Sequence, residues 1–167
     1  MRLEELNALV PEEAMNEILK CCGSTNWTRR MADERPFSSL DEVVTCADRV
    51  WWSLEPSDWL EAFRSHPKIG EKKAERQGSL DAQKWSEQEQ AGTGKTTQET
   101  QAELSQLNQV YEQKFGYIYI VCATGKTSEE MLEILKRRMD NAPHIELRVA
   151  AAEQAKITEL RLKKLLN

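Results

Sequence analysis

Three stretches of this sequence carry residue types whose spacing could do acid–base or binding chemistry. In "DWLEAFRSHPKIG", Trp59, Phe63 and His66 fall at i, i+4 and i+7, so the imidazole shares a helix face with two aromatic rings. A histidine at a helix C-terminal end is favoured as the cation by the macrodipole, which suits a general acid. The same spacing also fits a hydrogen-bonded core histidine or a helix-end cap. In "WSEQEQAG", Ser86 stands three residues before Glu89, the pattern of a capping box at a helix start. Glu89 beside Gln90 also pairs an acceptor with a donor, a combination that can address a small polar heterocycle. In "AKITELRLKKLLN", Arg161 lies four residues from both Ile157 and Leu165, in the middle of an apolar stripe. An arginine so placed needs a carboxylate partner, either a ligand's or one of the protein's own, such as Glu89 or Glu146.

The elements that would position these groups read as helices. Pro11 opens "VPEEAMNEILKCCG" and Gly23 closes it. Ser39 and Glu42 form a capping box ahead of "DEVVTCADRVWW". Ser57 can cap "DWLEAFRSH", which Pro67 ends by disfavouring helical geometry at the residue before it. Thr96 and Glu99 open a helix that carries Leu104, Leu107 and Tyr111 on one stripe and stops at Gly116. Thr127 or Ser128 starts "EEMLEILKRRM", and Asn141 with Pro143 starts a last long helix reaching about Leu166. Between them "YIYIVCA" is short, apolar and β-branched, with no second strand candidate to pair with it. The expected fold is all-α: a single domain over residues 1–167 with about eight helices and one buried extended segment.

Composition narrows the function. The chain has 167 residues, 40% hydrophobic and 31% charged, with seven Gly and five Pro, which is the make-up of a folded, helix-rich domain. A net charge of −5 and no basic stripe argue against nucleic acid. No apolar run approaches the roughly 20 residues that span a bilayer. Cys21, Cys22, Cys46 and Cys122 form no C-x-x-C and only two histidines could join them, so no metal site is expected and the cysteines read as reduced. The acidic, mixed N-terminal stretch does not read as a signal peptide, and "KLLN" is not a peroxisomal address; both favour a cytoplasmic protein. Two fragments, "GTGKTT" and "CATGKTS", resemble half of a phosphate-binding loop. The position of the required first glycine holds Glu89 in one and Ile120 in the other, so a nucleotide site is not expected.

The stretches "CCGSTNWTRRMADERPF", "AFRSHPKIGEK", "WSEQEQAG", "LNQVYEQKFGYIYIVCATGKT" and "EQAKITELRLKKLL" together resemble the family of OHCU decarboxylase, the 2-oxo-4-hydroxy-4-carboxy-5-ureidoimidazoline decarboxylase of urate degradation, in its bacterial and plant style. The resemblance runs in order from about Leu3 to Leu166. It implies an all-helical, cofactor-free enzyme, usually a homodimer, that converts OHCU to (S)-allantoin and CO2. Matched residue by residue, it implies that His66 is the catalytic histidine and Glu89 the second catalytic group. It implies further that Pro67 lines the pocket, that Ser86 and Gln90 bind substrate, and that Arg161 is the substrate-binding arginine. Tyr119, Ile120, Val121, Cys122 and Ala123 match the stretch whose backbone contacts substrate. The pair Glu87-Gln88 is a rival register, but W-S-x-x-E-Q spacing selects Glu89-Gln90. A non-catalytic interaction module of the same fold is the alternative, and its sign would be a broken His–Glu–Arg set.

Overall fold

The computed structural model describes residues 1–68, 84–85, 88–89 and 98–167. Its helices are α1 (Leu3–Ala8), α2 (Pro11–Leu19), α3 (Thr25–Asp33), α4 (Leu40–Trp52), α5 (Pro56–Arg64), α6 (Gln98–Phe115), α7 (Ser128–Arg138) and α8 (Pro143–Leu165). There is no strand among the described residues, so the all-α expectation holds. Contacts cluster into two units, Met1–Ser65 with Gln154–Asn167, and His66–Glu153.

In the first unit, α2 packs on α3, and α3 on α4 and α5. Ser24 caps α3 by accepting from the Trp27 N–H, and Glu61 on α5 takes the Thr25 N–H at 2.7 Å and its hydroxyl at 2.9 Å. Trp27, Phe63, Ile18, Met31 and Leu162 fill the core. The buried indoles keep their N–H groups bonded, Trp27 to the Ala47 carbonyl at 3.1 Å and Trp59 to that of Trp51 at 3.0 Å. Several helix ends follow the sequence and several do not. Ser39 accepts from the Glu42 N–H, but the Glu42 carboxylate reaches back to Ser38 rather than to Ser39. Ser57 does not cap α5: Glu55 is the N-cap, in a reciprocal box with Asp58, because Pro56 takes the first helical position and draws the start forward. α2 ends at Leu19 rather than at Gly23. Helices α1 and α3 are additional to those the periodicity indicated.

In the second unit, α6 packs on α7. Leu104 and Tyr111 from α6 meet Met131, Leu132 and Leu135 from α7, together with Tyr119, Val121 and Ala123. The last three alternate along the chain, the period of two that an extended segment gives. Gly116, at φ +83°, ends α6 in the left-handed conformation and donates its N–H to the Glu112 carbonyl at 2.8 Å. Thr127 caps α7 by accepting from the Glu130 N–H. Residues of α8 up to Glu153 belong to this unit and those from Gln154 to the first.

Candidate active site

His66 lies just past α5, which ends at Arg64 rather than running through the histidine. The following Pro67 disfavours helical geometry at His66, and the Ser65 hydroxyl donates to the Ala62 carbonyl at 2.6 Å, turning the chain off the helix. His66 is half-buried and Pro67 is buried. Ser65 is in turn fixed by a close approach: a Cβ on Gly23 would stand 2.4 Å from the Ser65 Oγ and 2.5 Å from its Cβ. Gly23 is therefore a packing requirement beneath the residue before His66, not a helix stop.

Glu89 is helical and half-buried, and its charge is close enough to Cys122 to act on that thiol. Burial is the main reason the Cys122 pKa is raised, and Glu89 and Glu153 add to it against the pull of Lys126. Gln88, the amide of the rival register, is exposed. Lys84 and Trp85 are already helical, ahead of the helix start expected at Ser86. Ser86, Glu87 and Gln90 themselves lie outside the described residues.

Tyr119, Ile120, Val121, Cys122 and Ala123 are all buried. With no neighbouring strand, their peptide groups need other partners, and side chains supply them. Arg138 donates to the Ile120 carbonyl at 2.7 Å, Glu153 accepts the Cys122 N–H at 3.2 Å, and Lys126 donates to the Cys122 carbonyl at 2.7 Å. Tyr119 anchors the start by donating its hydroxyl to the Met131 carbonyl at 2.9 Å. In a chain of period two, alternate peptide groups face opposite edges. The satisfied edge is that of Ile120 and Cys122. On the other edge, no hydrogen bond from the described residues reaches the Val121 N–H or C=O. Arg138 is itself locked: its Nε lies 2.6 Å from Glu146 Oε1, which also accepts from the Tyr111 hydroxyl at 2.7 Å, while Asn141 donates to Glu146 Oε2 at 3.0 Å. Burial opposes the Arg138 charge, but Tyr111 and Glu146 outweigh it and leave its pKa raised. Thus Glu146, which the sequence offered as partner for a buried arginine, has that partner in Arg138. The sequence reading missed Arg138 as a structural residue, although its place three residues after Leu135 and seven after Met131 puts it on the apolar stripe of α7.

In the first unit, Arg161 is buried on α8, as its wheel position required. It lies near Cys21 and Cys22, whose thiols burial pushes up to about 12 while Arg161 pulls the other way. One turn back, Thr158 accepts from Gln154 Nε2 at 3.0 Å. A groove of about 400 Å³ in this unit is lined by Val44, Thr45, Asp48, Trp51, Thr158 and Glu159, and none of the candidate residues is in it. Among the described residues no cluster of three or more His, Cys, Asp or Glu is placed to hold a metal ion, and no helix is long and apolar enough to cross a membrane.

The family model described as OHCU decarboxylase matches residues 7–163. The chain belongs to the OHCU decarboxylase family. It is 39% identical over 148 residues to the uric acid degradation bifunctional protein TTL of Arabidopsis thaliana, covering 88% of this chain and 45% of that protein. It is 26% identical to the 2-oxo-4-hydroxy-4-carboxy-5-ureidoimidazoline decarboxylase of Haloferax volcanii, covering 97% of this chain and 94% of the relative. A solved OHCU decarboxylase, crystallised in the presence of (S)-allantoin, superposes with a TM-score of 0.78 at 38% identity, over 90% of this chain and 97% of that one. The chain spans less than half the length of the bifunctional relatives it matches, at 45%, 32% and 32%.

Proposed function

We propose that this protein is a carboxy-lyase that converts OHCU to (S)-allantoin and CO2 in urate degradation, as one OHCU decarboxylase-like domain over residues 1–167. The observation that carries the reading is the family match across residues 7–163 with His66, Glu89 and Arg161 all present at their motif positions. The substrate carries its own electron sink, an imine next to the carbon that bears both hydroxyl and carboxylate. When the bond to the carboxylate breaks, its electron pair forms a carbon–carbon double bond. The imine electrons then move to nitrogen, which takes a proton. The resulting enol collapses to the carbonyl, releasing the hydroxyl proton, as the neighbouring carbon takes a proton on one face. That sequence requires no external electron sink such as pyridoxal phosphate or thiamine. The protein's part is to orient the carboxylate, stabilise developing charge and deliver the proton.

His66 hydrogen-bonds the substrate hydroxyl and assists proton transfer, and Glu89 orients His66 and binds the hydroxyl or ureido N–H groups. The half-buried position of Glu89 near Cys122 and the exposure of Gln88 support the Glu89-Gln90 register. Arg161 holds substrate oxygens bidentately. Ser86, Gln90 and the 119–123 backbone read the ureido and ring amides beside Pro67, and the edge of Val121 has the groups to do so. The working form is a cytoplasmic homodimer acting without metal or cofactor, which light scattering of the purified protein checks for assembly. The deciding assay follows freshly made OHCU to (S)-allantoin by circular dichroism. The wild-type chain accelerates it, and His66→Asn loses about 10²–10⁴-fold in kcat, the range for a general acid–base. A wild-type chain without acceleration favours the non-catalytic module, and full activity in His66→Asn and His66→Ala removes His66 from its role.

A further inference from the structure

Charged side chains hold the extended 119–123 stretch, and each acts on a peptide group that has a second, opposite end. Arg138 donates to the Ile120 carbonyl at 2.7 Å, and Glu153 Oε1 accepts the Cys122 N–H at 3.2 Å. The Ile120 carbonyl shares one planar peptide unit with the Val121 N–H, and the Cys122 N–H shares the next unit with the Val121 carbonyl. A cation on a peptide oxygen draws electron density from its unit and makes the N–H a better donor. An anion on a peptide N–H pushes density the other way and makes the oxygen a better acceptor. The two side chains therefore act in opposite senses on the two polar groups of one residue, Val121, whose edge is proposed above to read an amide of the substrate. Lys126 bonds the Cys122 carbonyl at 2.7 Å and so acts on the following unit. Arg138 is 6% exposed and Glu153 8%, so water screens neither charge well. A glutamine at position 153 also offers an oxygen to the Cys122 N–H, without the cost of burying a charge.

We infer that Glu153 is a positioning residue for the decarboxylation: by accepting the Cys122 N–H, its carboxylate fixes the 121–122 peptide group and polarises the Val121 carbonyl toward an N–H of the ligand. The inference rests on the decarboxylase reading, and it gives the buried charge on α8 a task in substrate affinity.

The test compares wild type with Glu153→Gln, which keeps the shape and the acceptor but loses the charge, and Glu153→Leu, which loses both. It measures (S)-allantoin affinity by calorimetry, steady-state turnover of OHCU, thermal unfolding and the backbone amide NMR spectrum. Glu153→Gln is expected to raise KM and the allantoin Kd about 3- to 10-fold and Glu153→Leu about 10- to 100-fold, with a smaller change in kcat. In ligand-free Glu153→Gln the Cys122 amide proton moves upfield, because a neutral acceptor replaces a charged one. A Gln variant with the KM and Kd of wild type overturns the inference, and it decides the question even where the Leu variant fails to fold. Variants that lose Tm but bind normally also overturn it, since Glu153 then serves the fold alone. So does a raised KM with the Cys122 amide unmoved, because the effect then bypasses that peptide group. If the wild type does not turn over OHCU, the decarboxylase reading fails and the inference falls with it. If the wild type turns it over and the variants match it, only the inference fails.

Discussion

Replacing Arg138 by Met removes one of the residues that tie the buried 119–123 stretch to the rest of its unit. The Glu146 side chain is 0% exposed and that of Arg138 7%, with 2.6 Å between Nε and Oε1. Loss of the guanidinium strands a buried carboxylate, unpairs the Ile120 carbonyl and removes the cation lying 4.9 Å from the Tyr119 ring centroid. Removing one partner of such a pair costs about 3–5 kcal/mol. At about 2–4 °C per kcal/mol for a chain of this size, Arg138→Met should lower Tm by about 6–20 °C. Glu146→Gln is milder, because its amide oxygen still accepts from Arg138 and Tyr111. The double variant Arg138→Met/Glu146→Met should recover a substantial part of the loss, since no charge is then left alone. Recovery stays incomplete because the Tyr111 hydroxyl and Asn141 lose their acceptor. Calorimetric unfolding of wild type, both single Met variants and the double Met variant closes the cycle, and OHCU turnover is read in parallel. A Tm within 2 °C of wild type for Arg138→Met, or a double variant equal to the sum of the singles, would refute the reasoning.

Other predictions test the support around the site. Gly23→Ala must displace Ser65, whose Oγ would lie 2.4 Å from the new Cβ, and should lower kcat by about tenfold or more by shifting the adjacent His66. Gly116→Ala, at φ +83° with open space around it, should cost about 1–2 kcal/mol of stability and leave kcat in place. Equal activities for the two variants would remove Gly23 from the site's support. Cys21 and Cys22 should remain inert to a thiol reagent at pH 8 in the native state and react on unfolding. Burial raises their folded pKa from an ordinary value of 9.0 to about 12, so above pH 9 the unfolded chain releases protons that the folded chain keeps. Stability should therefore fall between pH 9 and 12, by up to about 1.4 kcal/mol per pH unit for each thiol. Urea titrations of the Cys21→Ala/Cys22→Ala variant should show a shallower fall, and an unchanged slope would show that other groups set it.

Local signals were legible where local chemistry decides the structure. The caps at Ser39 and Thr127, the prolines opening α2 and α8, and the left-handed Gly116 each act within a few residues, so sequence spacing suffices to place them. Arg161 was legible for a related reason, because an apolar wheel on both sides leaves a side chain only one direction. What was missed depends on distant residues. Gly23 looked like a helix stop until Ser65, far along the chain, came to lie against it. Ser57 lost the cap to Glu55 because Pro56 claims the first helical position, a competition between neighbours that was within reach. Helix α1 has Arg2 rather than a Ser, Thr, Asn or Asp at its N-cap, and so carried little signal.

The polar residues buried along α8 connect these features. Glu146, Glu153, Gln154, Thr158 and Arg161 are all buried on one helix, where packing alone would favour leucine and alanine. The first two have visible tasks: Glu146 fixes Arg138, which holds the Ile120 carbonyl, and Glu153 holds the Cys122 N–H. Helical neighbours cannot offer the backbone ladder that an extended segment needs, so charged side chains take the place of an adjacent strand. They do so on one edge only. A real neighbouring strand on each side would have closed both edges, whereas here no hydrogen bond from the described residues reaches the N–H or C=O of Val121, the edge proposed above to read an amide of the substrate. Side-chain support is thus what allows a helical fold to hold an extended segment without a partner strand, and it accounts for the buried charge of Arg138, Glu146 and Glu153 around that segment.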